Sequence, residues 1–190
     1  MQHPNKKLTN YKRLYRLYDD GTIFTAVDTE TTSLSPSSGR IIEIGAVKFS
    51  KDGIISKWQS LFSIDEPVPP MITRITHITN AILDGQPRIE EKIPYIYSFI
   101  QDTVLVAHNA QFDLNFINAE LERANFPLSK NKAIDTLAFS KIIFPTLEYH
   151  RLDFLADTFK INKGSSHRAF DDAVTCMELF KVLIEKSREF

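Results

Sequence analysis

Four carboxylates and one histidine lie in three short blocks that are far apart along the sequence. Asp28 and Glu30 lie in AVDTETTSL, Asp113 lies in AHNAQFDLNF, and His167 and Asp172 lie in SHRAFDDA. If the fold gathers these carboxylates, each close pair costs roughly 4 kcal/mol at about 4 Å in an effective dielectric near 20. Two divalent cations would balance the four negative charges, and oxygen ligands favour Mg²⁺ or Mn²⁺ over Zn²⁺. The blocks therefore predict one anionic site that holds two cations.

The length and composition fit one domain of ordinary size. Of the 190 residues, 43% are hydrophobic, which is enough to bury a core. The formal net charge is -1, so charge neither supports nor excludes a nucleic-acid partner. Cys176 is the only cysteine, which excludes an internal disulfide and a multi-cysteine zinc site. No segment has the apolar length of a signal peptide or a membrane span, so we expect a cytoplasmic protein with no membrane partner.

The order of strand and helix patterns indicates the fold class. Residues 1–21 form a basic N-terminal extension with a short helix, and the domain covers residues 22–190. The run TIFTAVD predicts a strand, and IIEIGAVKF with IISKWQSLFSI predicts a hairpin joined by a KDG turn. A helix over PRIEEKIPYIYSFIQ then leads to a buried strand, TVLVA. Further helices are predicted around 136–143, around 152–159 and at the C-terminus, so we expect an α/β fold with a mixed central sheet flanked by helices.

The middle block places a carboxylate at the start of a helix. Asn109 is predicted to cap this helix through its side chain, which puts Asp113 in the first turn. The amino end of a helix favours negative charge. We therefore expect Asp113 to remain ionised while it awaits a cation.

The spacing within the other two blocks is also informative. Asp28 and Glu30 are two residues apart at the end of a strand, so both side chains point to the same face. Asp172 lies on the C-terminal helix, and His167 lies on the loop before it. An imidazole with a pKa near 6.5 accepts a proton from an attacking water at neutral pH. Together the blocks predict hydrolysis by in-line displacement at phosphorus, with no protein nucleophile.

The blocks DTETT, HNAQFD and HRAFDDA resemble the three motifs of the DEDDh branch of the DnaQ-like 3′–5′ exonucleases. This group contains the proofreading epsilon subunit of bacterial DNA polymerase III. The order and the internal spacing of the motifs agree, and RIIEIGAVKF and VLVAHNAQFD extend the similarity into the scaffold. The resemblance covers the chain from about Thr22 to Lys186.

The resemblance implies an RNase H-like fold and a residue-by-residue site. Two Mg²⁺ or Mn²⁺ ions would be ligands of four carboxylates, with a histidine as the general base: Asp28, Glu30, Asp113, Asp172 and His167. The implied substrate is the 3′ end of a nucleic-acid strand, single-stranded or frayed, released as nucleoside monophosphates. The implied contacts to the terminal nucleotide are Thr31, Leu34, His108, Asn109 and Phe112.

Two positions depart from the family pattern, which usually has glycine at both. Ser33 follows the tandem threonines of the first motif, and His77 lies in ITHITNAIL beside the implied substrate groove. A serine at position 33 would require a less common backbone conformation or a shifted loop. The resemblance to the epsilon subunit implies DNA as the substrate, as in proofreading or repair, while RNA 3′-end processing and a catalytically silent binding module stay open. A polymerase-associated subunit and a stand-alone enzyme are both compatible with the sequence, which does not indicate an oligomeric state.

Overall fold

The computed structural model describes residues 5–164 and 167–190. The strands in these ranges form one mixed sheet. Its strands are β1 (Lys6–Lys7), β2 (Phe24–Thr31), β3 (Ile41–Ser50), β4 (Gly53–Leu61), β5 (Val104–Ala107) and β6 (Lys132–Asp135). They form a six-stranded sheet in the order β1-β6-β5-β2-β3-β4. The β1–β6, β6–β5 and β5–β2 pairs are parallel, whereas β2, β3 and β4 form an antiparallel meander. This confirms the predicted mixed sheet.

Helices flank this sheet. They are α1 (Leu14–Asp19), α2 (Pro70–Thr76), α3 (Asn80–Leu83), α4 (Ile89–Ile100), α5 (Gln111–Arg123), α6 (Thr136–Ile143), α7 (Leu152–Thr158) and α8 (Ala169–Ser187), with a 3₁₀ turn at Tyr11–Arg13. Within the described ranges, none of the helices combines the length and apolar character needed to cross a membrane.

The alternation of side chains along β2 explains why helices cover both faces. Phe24 and Ala26 belong to the core that contains α8, whereas Val27 belongs to the core that contains α4 and α5. On the α8 side, the ring of Phe24 lies 5.5 Å from Phe49 and 5.0 Å from Phe180 between centroids. The central strand is therefore held from both sides, and its carboxyl end has a fixed position.

The sequence analysis missed two strands. β6 has only four residues, and its pattern KAID follows directly after a polar loop, so it gives no periodic signal. β6 pairs with β5, and β1 from the N-terminal extension then pairs with β6. The extension also packs on the domain, since Tyr11 stacks on Phe139 at 5.2 Å and Leu14 is buried.

The start of α5 differs in part from the prediction. Asp113 lies in the first turn, as predicted, but Asn109 does not cap the helix. The N-cap residue is Ala110, which makes no side-chain cap hydrogen bond, and Asn109 has a φ of 67°. Asn109 tolerates this left-handed conformation better than most residues do. Its backbone carbonyl, rather than its side chain, accepts the Phe112 N–H at 2.9 Å at the start of the helix.

Candidate active site

A cavity of about 620 Å³ lies at the carboxyl ends of β2 and β5, beside the first turns of α5 and α8. Its lining includes the four carboxylates and the histidine that the sequence blocks contain: Asp28, Glu30, Asp113, Asp172 and His167. In α/β sheets, ligands typically bind outside the carboxyl ends of the strands. The fold thus gathers all three blocks at the position where this architecture places a ligand.

The first block contributes from β2. Asp28 and Glu30 both face the cavity, and Thr29 between them is buried. The Thr29 hydroxyl donates a hydrogen bond of 2.8 Å to Oδ1 of Asp113. This contact joins the first block to the second and fixes the orientation of the Asp113 carboxylate.

The second block presents Asp113 from the first turn of α5, where the side chain is only 3% exposed. Burial raises the pKa of Asp113 to about 7, although hydrogen bonds from Thr29 and from backbone N–H groups act in the opposite direction. Burial therefore opposes the ionised Asp113 that we expected in the absence of a cation, and it outweighs the favourable position at the start of α5.

The third block places a ligand candidate on a helix and a base candidate on a loop. His167 is exposed and has a φ of 63°, and its backbone N–H donates a hydrogen bond of 2.9 Å to Oδ2 of Asp172. One ligand atom from each of Glu30, His167 and Asp172 lies within 4.8 Å of the others. These three residues, from two distant blocks, could contact a single ion.

Burial and the charges of neighbouring carboxylates raise the pKa values of the other three site carboxylates. Burial raises the pKa of Asp28 well above its ordinary value, and the negative charges of Asp113, Asp172 and Glu30 raise it further. The pKa of Glu30 is raised to about 8 by burial and then by Asp172 and other carboxylates. Burial also raises the pKa of Asp172. Full ionisation of the site therefore needs additional positive charge.

The donor set fits hard divalent cations. Four carboxylates supply oxygen ligands, the set that suits Mg²⁺ or Mn²⁺, and one imidazole stands beside them. Two such ions would supply the positive charge that the four carboxylates need in order to be fully ionised. The residues present therefore fit the predicted pair of cations.

The predicted nucleotide contacts fall into two groups. His108, Asn109 and Phe112 line the cavity, and the ring of Phe112 lies 4.9 Å from that of Phe116. Thr31 and Leu34 are not in its lining. The Thr31 hydroxyl is buried and donates to the Ser33 carbonyl at 2.7 Å, and Leu34 is 87% exposed.

Two basic side chains at this cavity were not predicted from the sequence. Arg151 and Lys163 both line it, and each is paired with a carboxylate near α7. Nε of Arg151 lies 3.5 Å from Asp153, and Nζ of Lys163 lies 2.6 Å from Asp157. Basic residues beside a site for phosphodiester chemistry suit the charge of its substrate. The sequence gives no signal for these two, because several other lysines and arginines lie between the second and third blocks.

The two departures from the family pattern behave differently. Ser33 is not among the described residues with positive φ, so it needs no unusual backbone conformation. Its hydroxyl instead donates a 3.0 Å hydrogen bond to the Ser35 carbonyl and orders the loop. His77 ends α2 with a φ of 59°, in the left-handed conformation that glycine adopts without steric cost.

Comparison with known proteins gives a consistent result. Residues 25–180 match the family described as Exonuclease (RNase T). The chain is 46% identical over 163 residues to the DNA polymerase III subunit epsilon of Treponema pallidum, covering 85% of this chain and 76% of that protein. It is 38% identical to the PolC-type DNA polymerase III of Halalkalibacterium halodurans, covering 87% of this chain but only 12% of that polymerase.

Among solved structures, exonuclease X in complex with 5′ overhanging duplex DNA superposes with a TM-score of 0.68. Its sequence is 27% identical, and the alignment covers 88% of this chain and 93% of that one. The agreement extends over almost the whole domain.

Proposed function

The chain belongs to the RNase T family of exonucleases and is a 3′–5′ exonuclease with an RNase H-like fold, and from this premise we propose that it removes nucleoside monophosphates from DNA 3′ ends by two-metal hydrolysis. The observation that carries the proposal is the single cavity lined by the four carboxylates and His167. We propose an exonuclease domain over residues 22–190 after a basic extension over residues 1–21, and the family match over residues 25–180 supports the first of these.

Asp28, Glu30, Asp113 and Asp172 would hold the two cations. When bound, Mg²⁺ or Mn²⁺ would lower the pKa of the attacking water and stabilise the charge on the leaving oxygen. Thr29 keeps the Asp113 carboxylate oriented through its 2.8 Å hydrogen bond. Asp28 and Glu30 hold fixed positions because β2 is packed on both faces.

His167 would act as the general base. Its exposed position on the loop before α8 lets the imidazole reach a water in the cavity, and its backbone is held by Asp172. The imidazole accepts the water proton while the new P–O bond forms and the bond to the 3′ oxygen breaks. The leaving 3′ oxygen then takes up a proton, which completes the hydrolysis.

DNA is the proposed substrate because one similar protein is named as a subunit of DNA polymerase III, another is named as a PolC-type DNA polymerase III, and one solved relative is in complex with DNA. The lining residues His108, Asn109 and Phe112 would contact the terminal nucleotide. Thr31 at the end of β2 and Leu34 in the loop after it, which lie outside the lining, would contact it from the edge of the cavity. The same names support association with a DNA polymerase and a place in cytoplasmic DNA replication.

The test is digestion of matched 5′-labelled DNA and RNA strands with Mg²⁺, with Mn²⁺ and with EDTA. We expect stepwise release of mononucleotides from DNA with either ion and none with EDTA. Asp28→Asn should abolish release, whereas Asp52→Asn, which changes an exposed carboxylate in the β3–β4 turn, should not. Faster digestion of RNA would reassign the substrate, and no digestion of either strand would favour a silent binding module.

A further inference from the structure

We infer that Glu43 and Arg168 form a positioning pair that sets the first turn of α8, and with it His167 and Asp172, against the carboxylates of β2. This inference rests on the proposed function. Neither residue lines the cavity, so neither would contact a cation there. Their charges act on Glu30 in opposite directions, since Glu43 raises its pKa and Arg168 lowers it, whereas a positional effect through the backbone of α8 would have the same sign for both residues.

Glu43 is a buried carboxylate with an unusually complete set of partners. It lies on β3 directly opposite Glu30 in the antiparallel register, and it is 2% exposed. Its oxygens accept hydrogen bonds from Nε of Arg168 at 3.1 and 3.2 Å and from Nη2 at 2.7 Å. They also accept the backbone N–H of Ala169 at 3.1 Å. Charge-assisted bonds to a planar guanidinium fix both distance and direction.

Gly45 brings α8 close enough for this contact. A Cβ atom at position 45 would lie 2.3 Å from backbone atoms of Ala169 and Phe170, so β3 and α8 touch through their backbones. Glu43 and Gly45 are two residues apart and point to the same face of the sheet. Gly45 thus permits the approach, and Glu43 holds the start of the helix in place.

The positions of His167 and Asp172 depend on that of Arg168. His167 is the neighbour of Arg168, and the backbone N–H of Asp172 donates to the Arg168 carbonyl at 3.0 Å. Moving Arg168 would therefore move both residues relative to Glu30 across the cavity. The pair also gives Glu43 its own cationic partner, so this carboxylate is not available as a further cation ligand beside Glu30.

A second buried glutamate provides a matched control. Glu120 on α5 is 1% exposed and accepts hydrogen bonds from Nε of Arg40 at 3.0 Å and from the Ile41 N–H at 3.1 Å. Like Glu43, it is a buried carboxylate that accepts hydrogen bonds from an arginine and from a backbone N–H, and it is not in the cavity lining. Glu43→Gln and Glu120→Gln each keep an acceptor for the backbone N–H and remove the charge.

The experiment measures Mn²⁺ affinity by electron paramagnetic resonance, kcat and KM on a DNA oligonucleotide, and the unfolding temperature. We expect Glu43→Gln and Arg168→Gln each to lower Mn²⁺ affinity and kcat by about tenfold or more, with KM unchanged. In the double variant the second change should add little, because both act through one contact. Glu120→Gln should lower the unfolding temperature while Mn²⁺ affinity and kcat stay at the wild-type value.

Wild-type Mn²⁺ affinity and kcat in Glu43→Gln would overturn the inference and leave the pair with a purely structural role. If Glu43→Gln does not fold, Arg168→Gln decides by the same comparison, since the Arg168 side chain is 45% exposed. A wild-type protein that neither binds Mn²⁺ nor degrades DNA would count against the proposed function. An active wild type with an equally active Glu43→Gln would count against the positioning pair alone.

Discussion

Replacing Glu30 with glutamine should stabilise the metal-free protein while it removes a proposed cation ligand. Burial and then the nearby carboxylates raise the pKa of Glu30 from 4.5 to about 8. Between these values the folded protein keeps a proton that the unfolded chain has released. The folded state binds more protons, so the free energy of unfolding falls as pH rises through this window. Glutamine has nearly the same shape and no charge, and it removes that loss.

The expected loss of unfolding free energy follows from the pKa of Glu30 in the unfolded and folded states. One pKa unit corresponds to about 1.36 kcal/mol, so the loss due to Glu30 is about 3 kcal/mol at pH 7 and approaches about 5 kcal/mol above pH 8. The raised pKa values of Asp28, Asp113 and Asp172 act in the same direction. Burial lowers the pKa of His108 from 6.5, which opposes this trend only at lower pH. The wild type and the Glu30→Gln variant share these other groups, so the difference between them follows Glu30 and grows mainly between about pH 5 and 8.

Urea unfolding of the wild type and of Glu30→Gln in EDTA, at several pH values in this range, measures the effect. The variant should be the more stable protein, and its advantage should grow with pH. Saturating Mg²⁺ should reverse the order, because bound cations stabilise the folded wild type. A variant that is less stable in EDTA, or an advantage that does not change with pH, would refute the electrostatic account of the site.

Three further predictions concern other residues near the site. Arg151→Gln and Lys163→Gln should each raise the KM for an oligonucleotide severalfold, keep kcat, and weaken the dependence of KM on salt, because both cations line the cavity; an unchanged KM at low salt would contradict this. His77→Gly should raise the free energy of unfolding by about 0.5–1 kcal/mol in urea titrations, because it relieves a φ of 59°, whereas His77→Ala should not. Thr29→Val removes the hydrogen bond that lowers the pKa of Asp113, so Mn²⁺ affinity should fall more at pH 7 than at pH 8.5; equal losses at both values would exclude this role.

The parts of the fold that the sequence predicts are those with a periodic apolar signal. The strand over Phe24–Thr31, the hairpin of Ile41–Ser50 and Gly53–Leu61, and the helix at Ile89–Ile100 all occur where patterns of period two or 3.6 predict them. β6 shows why other parts escape. Four residues cannot establish a period, and its place between β5 and β1 is decided by backbone pairing with strands that are distant in sequence.

The site was predictable to the extent that its chemistry depends on residue type. The resemblance of the three blocks to the exonuclease motifs implies a shared site, and the cost of gathering unpaired carboxylates then predicts that the site holds cations. The contacts made by Glu43, Arg151 and Lys163 could not be predicted in the same way. Glu43 looks like any polar position of a strand, and its role depends on the approach of α8, which Gly45 permits in three dimensions.

Backbone strain at the two motif loops shows how one carboxylate serves two purposes. Asn109 and His167 have φ values of 67° and 63°, which cost a non-glycine residue about 1–2 kcal/mol each. In both, the backbone N–H donates to an aspartate, Asp135 at 3.1 Å and Asp172 at 2.9 Å, and such a charge-assisted bond contributes about 1.5–3 kcal/mol. Asp172 thus stabilises the loop of the proposed base while facing the cavity. Moving this carboxylate by one residue would turn it about 100° around α8 and remove both contacts, which accounts for the interval of five residues between His167 and Asp172 in this chain.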